Sequence, residues 1–250
     1  MPDPFAYEDV LAMEQAAAAA WPAHCIDDVA GWKVRRSGGG SRRANSVLPL
    51  GFDGTALDRA IEAVEALYRA DKVRSYFQVS SIARPSNLDT HLAARGYTYE
   101  EPCLLMAKRL TPLPFPAGID SAAEPSAAWL SVYTELLEPV RKAAAPGVLA
   151  VVPKPRQFFL LTRDGVPLTS ALAVRSGPDV ALVESVATST AGRRQGGAQI
   201  IMDAVESWSA ANGANFCALQ VVEGNTAART LYEKRGYVEA GRYHYRWKNV

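Results

Sequence analysis

The chain has 250 residues, of which 48% are hydrophobic, so it can bury one large core or two smaller ones. Its 27 basic and 26 acidic residues leave a formal net charge of +1, which gives no whole-chain argument for binding nucleic acid or an anionic membrane surface. The three cysteines show no CxxC pair, which argues against a disulfide framework or a structural zinc site. The apolar run Ala16–Ala20 is too short for a signal sequence or a membrane span, and we expect a cytoplasmic protein.

Helical and strand-like patterns alternate through the first half of the chain. Leu57, Ile61 and Val64 fall on one face of an amphipathic helix, for which Thr55 is placed as the N-cap. The glycine-rich turn Ser37–Ser41 separates two short strand-like segments. In chain order, the pattern predicts a helix at 6–20, strands at 31–36 and 42–49, a helix at 55–70, and strands at 76–80 and 99–110.

A proline-rich stretch, Thr111–Gly118, divides the chain into two halves of about equal length. Its prolines occupy alternate positions, so the stretch cannot continue a helix or a central strand and favours an extended geometry. We interpret it as a linker between a domain of residues 1–110 and a domain of residues 119–250.

The second half repeats the mixture of elements. Asp164-Gly165 is a hairpin signal between two strands, and Asn212-Gly213 ends a long helix. The pattern predicts a helix at 123–137, strands at 156–162, 168–174 and 179–188, a helix at 194–212, a strand at 216–222, a helix at 225–235 and a strand at 243–247. The two halves together indicate an α+β (mixed α/β) fold class.

The two halves end in the same way. A short helical pattern stops at Arg95-Gly96 in the first half and at Arg235-Gly236 in the second, and an aromatic strand-like segment follows each time. Joints of this kind are common, but their matching positions favour a duplicated unit.

The turn Arg193–Ala198 has the composition of an anion-binding site. It joins a strand to a long helix, its glycines let backbone N–H groups approach an anion, and the helix adds its positive N-terminal end. It matches neither the GxxxxGK[ST] nor the GxGxxG nucleotide motif. A surface turn without a ligand could have the same residues, so the turn alone is weak evidence.

The segments that follow make the turn more specific. Arg193-x-x-Gly196-x-Ala198 precedes a long helix, an apolar strand, Asn225, Ala228 and Leu231-Tyr232-Glu-Lys-Arg-Gly-Tyr237. This order resembles the GCN5-related N-acetyltransferase (GNAT) superfamily, with its Q/R-x-x-G-x-G/A loop and N-x-x-A-x-x-L-Y-x-x-x-G-F/Y segment. The resemblance spans about 156–247. It implies two tandem domains, each a mixed, mostly antiparallel sheet flanked by helices, of which the first is degenerate.

The resemblance also implies an acyltransferase that uses acetyl-CoA as co-substrate and needs no metal. Backbone groups of Val186, Ala187 and Thr188 would pair with the pantetheine arm like an added strand, and Asn225 would help to place it. The pyrophosphate would bind the turn, which consists of Arg193, Arg194, Gln195, Gly196, Gly197 and Ala198. Two residues depart from the family pattern: Gly197 is a second consecutive glycine, and Gln199 stands where the family often has a basic residue. We expect a looser loop or a weaker contact with the cofactor, but not the loss of the site.

Two side chains are candidates for proton transfer. The resemblance places Tyr232 near the sulfur, where it would protonate the departing thiolate. Glu184 is the only carboxylate within the strand at 180–188 and is our candidate general base, with Glu223 as a second choice. The alternatives are a packed helix aromatic for Tyr232, an outward-facing strand residue for Glu184 and a solvated turn for Glu223. The oxyanion donor would be a backbone N–H near Val186.

The last strand offers two candidate substrate-binding residues. Alternation places His244 and Arg246 on one face and the neighbouring tyrosines on the other. An arginine in the acceptor cleft would suit an acceptor that carries a carboxylate. An ordinary polar sheet face is an equal alternative.

The first half has no equivalent of the Arg-x-x-Gly-x-Ala turn, so we expect one cofactor site per chain. Its residues could still shape the acceptor pocket, or could be purely structural. The candidates are Trp32, Arg35, Asn45 and Ser46.

The predicted function is transfer of an acetyl group from acetyl-CoA to the amine of a small molecule or amino acid, by direct attack in a ternary complex. A protein lysine or N-terminus remains an alternative acceptor, and a non-catalytic acyl-CoA-binding module is a third possibility. We expect a monomer or homodimer that binds neither nucleic acid nor a membrane.

Overall fold

The computed structural model describes residues 5–54 and 56–250. Thr55, the predicted helix cap, lies outside the described residues. The helices are α1 (Tyr7–Ala20), α2 (Leu57–Ala70), α3 (Leu88–Ala94), α4 (Ala127–Thr134), α5 (Pro139–Val151), α6 (Gly197–Ala211) and α7 (Thr226–Lys234), with a 3-10 turn at Thr190–Gly192. The strands are β1 (Cys25–Val29), β2 (Trp32–Arg36), β3 (Val47–Leu48), β4 (Ser75–Ser80), β5 (Thr98–Arg109), β6 (Ile119–Ala122), β7 (Arg156–Arg163), β8 (Val166–Ser176), β9 (Val180–Thr188), β10 (Phe216–Val222) and β11 (Val238–Lys248).

All of these strands form one sheet, in the order β1-β2-β3-β4-β11-β5-β10-β9-β8-β7-β6. Only the pairs β3–β4 and β9–β10 are parallel, and every other neighbouring pair is antiparallel. The mixed, mostly antiparallel sheet with helices packed on it confirms the predicted fold class. The boundaries of the two domains stay a prediction.

The two halves exchange their last strands at the centre of the sheet. Strand β5, which ends the first half, pairs with β10 of the second half, and β11, which ends the chain, pairs with β4 of the first half. The two exchanged strands also pair with each other. The aromatic segments that the sequence places at the end of each half therefore build the junction between the halves.

Helix α1 belongs to the first half in sequence but packs on the sheet of the second half. Its buried residues Met13 and Ala17 join a hydrophobic core with Trp129 and Leu182. Ser176 Oγ donates a hydrogen bond to the carbonyl of Ala16 at 2.9 Å. The first half therefore covers part of the second, so its side chains can lie close to the predicted cofactor site of the second half.

Three elements differ from the sequence prediction. Strands β1 and β6 are edge strands with mostly exposed side chains, so they lack the apolar alternation that marks a buried strand. Helix α5 contains Pro146 and Gly147, which normally argue against a helix interior. It forms because Ala145, Val148 and Leu149 bury one face against the core.

None of the helices within the described residues is both long and apolar enough to cross a membrane.

Candidate active site

Strands β9 and β10 diverge at their carboxyl ends. They run parallel and in register from Val180–Phe216 to Val183–Leu219, and their pairing ends there although β9 continues to Thr188. Ser185 has a left-handed φ of +54°, and the β8–β9 register shifts between Leu172–Glu184 and Ser170–Ala187. This bulge bends β9 away from β10 and leaves an unpaired strand edge facing the gap.

A cavity of about 510 Å³ opens at this divergence. Its walls include Val186, Ala187 and Thr188 of β9, together with Asn225 and Tyr232. Glu184 also faces this cavity and is almost completely buried. The structure therefore brings together the predicted pantetheine contacts and both predicted proton-transfer residues, on elements separated by about 40 residues of sequence.

The carboxylate of Glu184 is held by an arginine from the other half of the chain. Arg43 Nη1 donates to Glu184 Oε1 at 2.8 Å and Arg43 Nη2 donates to Oε2 at 2.7 Å. Arg43 Nη1 also lies 3.3 Å from Gln220 Oε1 on β10. Burial lowers the pKa of Arg43, but the charge and hydrogen bonds of Glu184 outweigh this and hold the pKa above its usual value. Arg43 is therefore charged at neutral pH.

The glycine-rich turn of the first half places Arg43 in the site. Gly40 approaches α5 so closely that a Cβ there would lie 2.8 Å from Ala144 Cβ, and its φ is +82°. The indole N–H of Trp21 donates to Ser41 Oγ at 3.1 Å, and the Arg43 guanidinium lies 4.9 Å from the centre of the Trp21 ring. Asn45 accepts hydrogen bonds from the backbone N–H groups of Ser37 and Gly39, which closes the turn. The turn therefore forms a wall between the halves.

Tyr232 lies on α7 and is buried at the cavity wall. Burial raises its pKa to about 12, with a further contribution from the nearby carboxylate of Glu184. A phenol of this kind stays protonated and can donate a hydrogen bond. Full transfer of its proton to a thiolate whose conjugate acid has a pKa near ~8.5 is unfavourable by roughly 5 kcal/mol. The raised pKa of Tyr232 therefore favours stabilisation of a thiolate by hydrogen bonding over complete protonation.

An ion-pair network fixes the position of α7. Glu206 on α6 is buried and accepts from Lys108 Nζ at 2.8 Å and from Arg235 Nε at 2.9 Å. Arg235 also pairs with Asp203. At its other end, α7 is capped by Asn225, whose side-chain oxygen accepts from the Ala228 N–H at 3.2 Å. The network therefore holds Tyr232 in place, and Asn225 combines a capping role with its place on the cavity wall.

The predicted pyrophosphate turn lies at the N-terminus of α6. Arg194 and Gly196 both adopt left-handed φ values, of +61° and +72°. The N–H groups of Gly197 and Ala198 precede the first hydrogen bond of α6, which the Gln199 N–H donates to the Gly196 carbonyl at 3.0 Å, and they are available to an anion. Glu135 accepts from the N–H and hydroxyl of Thr190 at 2.9 and 2.6 Å, and these bonds lower its pKa. The turn is therefore preorganised, while binding of a pyrophosphate to it stays a prediction.

Gly197 has a packing role that the sequence did not reveal. A Cβ at this position would overlap Thr169 Oγ1 and lie 3.1 Å from Leu161 Cδ2. The second glycine is thus required for α6 to start close to β8. The close contact with the sheet sets the position of the helix start, and the expected effect on the loop and on cofactor contact stays a prediction.

The structure does not bring His244 and Arg246 into this site. Both bind Asp89 of α3, with His244 Nε2 at 2.7 Å and Arg246 Nε at 2.8 Å from Oδ1. His244 also stacks on Tyr99, with ring centres 4.5 Å apart. The other face of β11, with Tyr243 and Tyr245, lines a cavity between the halves. The predicted alternation is confirmed, but the face that lines this cavity is that of the tyrosines, because α3 covers the other.

Of the candidate residues of the first half, one lines this cavity and three lie in the interior. Asn45 lines the cavity between the halves. Trp32 is buried in the core of the first half, and Arg35 bonds Ser46 Oγ and Gln78 Oε1 at 2.8 Å each in its interior. These three residues, Trp32, Arg35 and Ser46, are therefore structural.

Sequence reasoning missed Arg43 and Gln220, which contact each other at the cavity, and Tyr133, which lies on its wall. Burial raises the pKa of Tyr133. Arg43 belongs to an Arg-Arg pair in the degenerate half, and no local pattern connects it with Glu184, which is 141 residues away. Its role depends on the packing of the two halves.

Three features together define a tandem GNAT-type acyltransferase: the diverging strands, the helix N-terminus beside them and the two similar halves. A family described as "Probable histone acetyltransferase Rv0428c C-terminal" matches residues 8–246. YobR of Bacillus subtilis (strain 168), an uncharacterised N-acetyltransferase, is 27% identical over 249 residues, which are 96% of this chain and 99% of YobR.

Solved structures agree in fold. A GCN5-related N-acetyltransferase from Kribbella flavida has a TM-score of 0.72 at 21% identity, covering 96% of each chain. A tandem GNAT protein from the clavulanic acid biosynthesis pathway has a TM-score of 0.61 at 13% identity, covering 76% of this chain and 69% of that one. The chain belongs to the Rv0428c C-terminal family and is an N-acetyltransferase of the GNAT superfamily.

Proposed function

We propose that the protein transfers the acetyl group of acetyl-CoA to the amine of a small molecule by direct attack in a ternary complex. The observation that carries this proposal is the junction of two cavities. The cavity at the diverging strands and a second cavity of about 600 Å³ between the halves share wall residues that include Arg43, Arg141 and Gln220. A donor in the first and an acceptor in the second would meet at this junction, so no acyl-enzyme is required.

The donor side has the features that acetyl-CoA requires. The unpaired edge of β9 at 186–188 offers backbone groups to the amides of the pantetheine arm. The α6 N-terminus, with Arg193 and Arg194 beside it, would hold the pyrophosphate. The bound donor supplies an activated acyl thioester, and the chain's own residues orient it and handle the protons.

The acceptor must be neutral to attack. An α-amino group with a pKa near ~8 costs roughly 1–1.5 kcal/mol to deprotonate at pH 7, and a lysine-type amine near ~10.4 costs roughly 4–5 kcal/mol. Glu184 is the carboxylate at the junction, but each of its oxygens already accepts a bond from Arg43. We propose that Glu184 receives the amine proton through a water molecule while Arg43 keeps the carboxylate oriented, and that the Tyr232 hydroxyl stabilises the thiolate.

The proposal is tested by following free thiol with acetyl-CoA and a panel of small amines and amino acids. Initial rates measured while both substrates are varied should give intersecting reciprocal plots, which indicate a ternary complex. Parallel plots, or a burst of thiol without an acceptor, would instead indicate an acyl-enzyme. Absence of transfer to every amine would contradict the proposal.

A protein lysine is the second candidate acceptor, because the matching family is described as a probable histone acetyltransferase. Lysine-rich peptides belong in the same panel. A kcat/KM for such peptides above that of every small amine would favour this reading.

A further inference from the structure

We infer that the cavity between the halves selects amine acceptors that carry a negatively charged group, such as a carboxylate, and disfavours polycationic acceptors. This inference rests on the proposed function and specifies its substrate class. The volume of about 600 Å³ is that of a small-molecule site.

The charges of the cavity wall do not cancel. Arg42 pairs with both Glu100 and Glu101, at 2.9 and 2.8 Å, which leaves one excess negative charge, and Arg43 pairs with Glu184. The wall also contains Lys72, Arg74 and Arg141, and among residues 5–54 and 56–250 none of these three has a carboxylate within salt-bridge distance. The cavity thus presents uncompensated positive charge.

The three free cations lie on different sides of the cavity. Lys72 and Arg74 follow α2 in the first half, whereas Arg141 lies on α5 in the second. All three residues are exposed to solvent. Arg74 is held in place by the Trp247 ring, 4.2 Å from its guanidinium carbon, and by Asn249 Oδ1 at 3.1 Å. A carboxylate between the two sides could bind cations of both halves.

The buried part of the cavity wall, unlike the exposed part, carries no charge. Tyr243 and Tyr245 are buried there beside Cys103 and form an uncharged aromatic surface. An acceptor with its anionic group at Lys72 and Arg141 would place an uncharged body against these rings and direct its amine toward Glu184 at the junction.

The same charges act on the amine. Nearby positive charge disfavours an ammonium ion and favours the neutral, nucleophilic form. A polyamine or a lysine-rich peptide brings several like charges without a compensating group, so its entry is opposed. An acceptor whose net charge is zero or negative avoids this repulsion, which favours an amino acid over a histone tail.

The experiment compares matched pairs that differ by one carboxylate: L-phenylalanine with 2-phenylethylamine, and L-lysine with 1,5-diaminopentane. We expect the carboxylate-bearing member of a pair to have a kcat/KM at least about tenfold higher, as one charge-assisted pair would give. Lys72→Gln should reduce this ratio, chiefly through the KM for the acceptor. Arg141→Gln should do the same, and because Arg141 also lines the cavity at the diverging strands, the KM for acetyl-CoA is measured in that variant as well. Lys142→Gln changes an adjacent exposed cation on α5 that does not line either described cavity and should keep the ratio.

Binding of the same four compounds to the donor-free protein, measured by calorimetry, separates this inference from the proposed function. If no amine is turned over but the carboxylate-bearing members bind more tightly, the proposed function is overturned and the carboxylate-binding site is supported. Equal binding and equal turnover within each pair, or a lysine-rich peptide as the better acceptor, would overturn the inference.

Discussion

Arg43 and Glu184 form a two-point ion pair across the boundary between the two halves, with N–O distances of 2.8 and 2.7 Å. Glu184 lies on β9, which lines the cavity at the diverging strands, and Arg43 follows the glycine-rich turn of the first half. The first half therefore contributes a side chain to a cavity formed by strands of the second half, and this ion pair joins the two halves.

Removal of either partner of this pair should destabilise the protein. Arg43→Gln leaves a buried carboxylate without its counter-charge, and breaking a buried pair costs about 3–5 kcal/mol. We expect Glu184→Gln to cost less, because Arg43 is partly exposed at 24% of its side chain and retains Gln220. Both losses are measured as the decrease in the free energy of unfolding in urea. The decrease in the double variant should be smaller than the sum of the decreases in the two single variants.

The control is Arg242→Gln, which removes an exposed pair with Glu239 and Glu223. It should change stability by less than about 1 kcal/mol. Additive losses for Arg43→Gln and Glu184→Gln would show that the pair is not coupled.

Tyr232→Phe tests the role of a single hydroxyl. Loss of a hydrogen-bond donor to the leaving thiolate should lower kcat by about 10²-fold while the KM for acetyl-CoA changes little. The matched control is Tyr237→Phe, because Tyr237 is buried nearby, with its ring centre 5.9 Å from that of Tyr232, and its hydroxyl has no hydrogen-bond partner among the described residues. Equal loss of activity in both variants would show that packing, and not the Tyr232 hydroxyl, is responsible.

Gly197→Ala tests the start of α6. The added methyl group would overlap Thr169 Oγ1, so the helix N-terminus must shift and the KM for acetyl-CoA should rise several-fold. Thr169→Ala in the same chain removes the obstructing hydroxyl and should restore the KM. Gly147→Ala in α5 is the control, since nothing lies within 4 Å of a Cβ there, and it should stabilise the protein by about 0.5–1 kcal/mol. An unchanged KM in Gly197→Ala would contradict the packing role.

Glu14 should make stability depend on pH. Its side chain is buried on α1, and burial raises its pKa from 4.5 to about 7, although Ser80 and Arg35 favour the charged form. The folded state therefore holds the proton more tightly than the unfolded state. The free energy of unfolding should fall by about 3 kcal/mol as pH rises from about 4.5 to 7.

Glu14→Gln should remove this decrease in stability. The test compares the free energies of urea unfolding of the variant and of the wild type at each pH. Glu8→Gln on the exposed surface of the same helix is the control. A parallel pH dependence of wild type and Glu14→Gln would show that Glu14 titrates normally.

The sequence by itself determined the local structure and the donor side of the site. Apolar periodicity marked most of the helices and strands, including β10, whose predicted bounds at 216–222 match the structure. The turn at 193–198 and the Asn225–Tyr237 segment indicated the family, which the match to residues 8–246 confirms. These features are encoded in residues close together in the chain, where spacing alone fixes which side chains share a face.

The tertiary structure decided which residues line the cavity between the halves. Which face of β11 meets the cavity depended on α3, whose Asp89 binds His244 and Arg246 on one side and leaves Tyr243 and Tyr245 to the other. The partnership of Arg43 with Glu184 depended on the exchange of β5 and β11 and on α1 packing across the halves. Such contacts join residues that are more than a hundred positions apart, and their pairing is set by how the buried surfaces fit together, which no local pattern records.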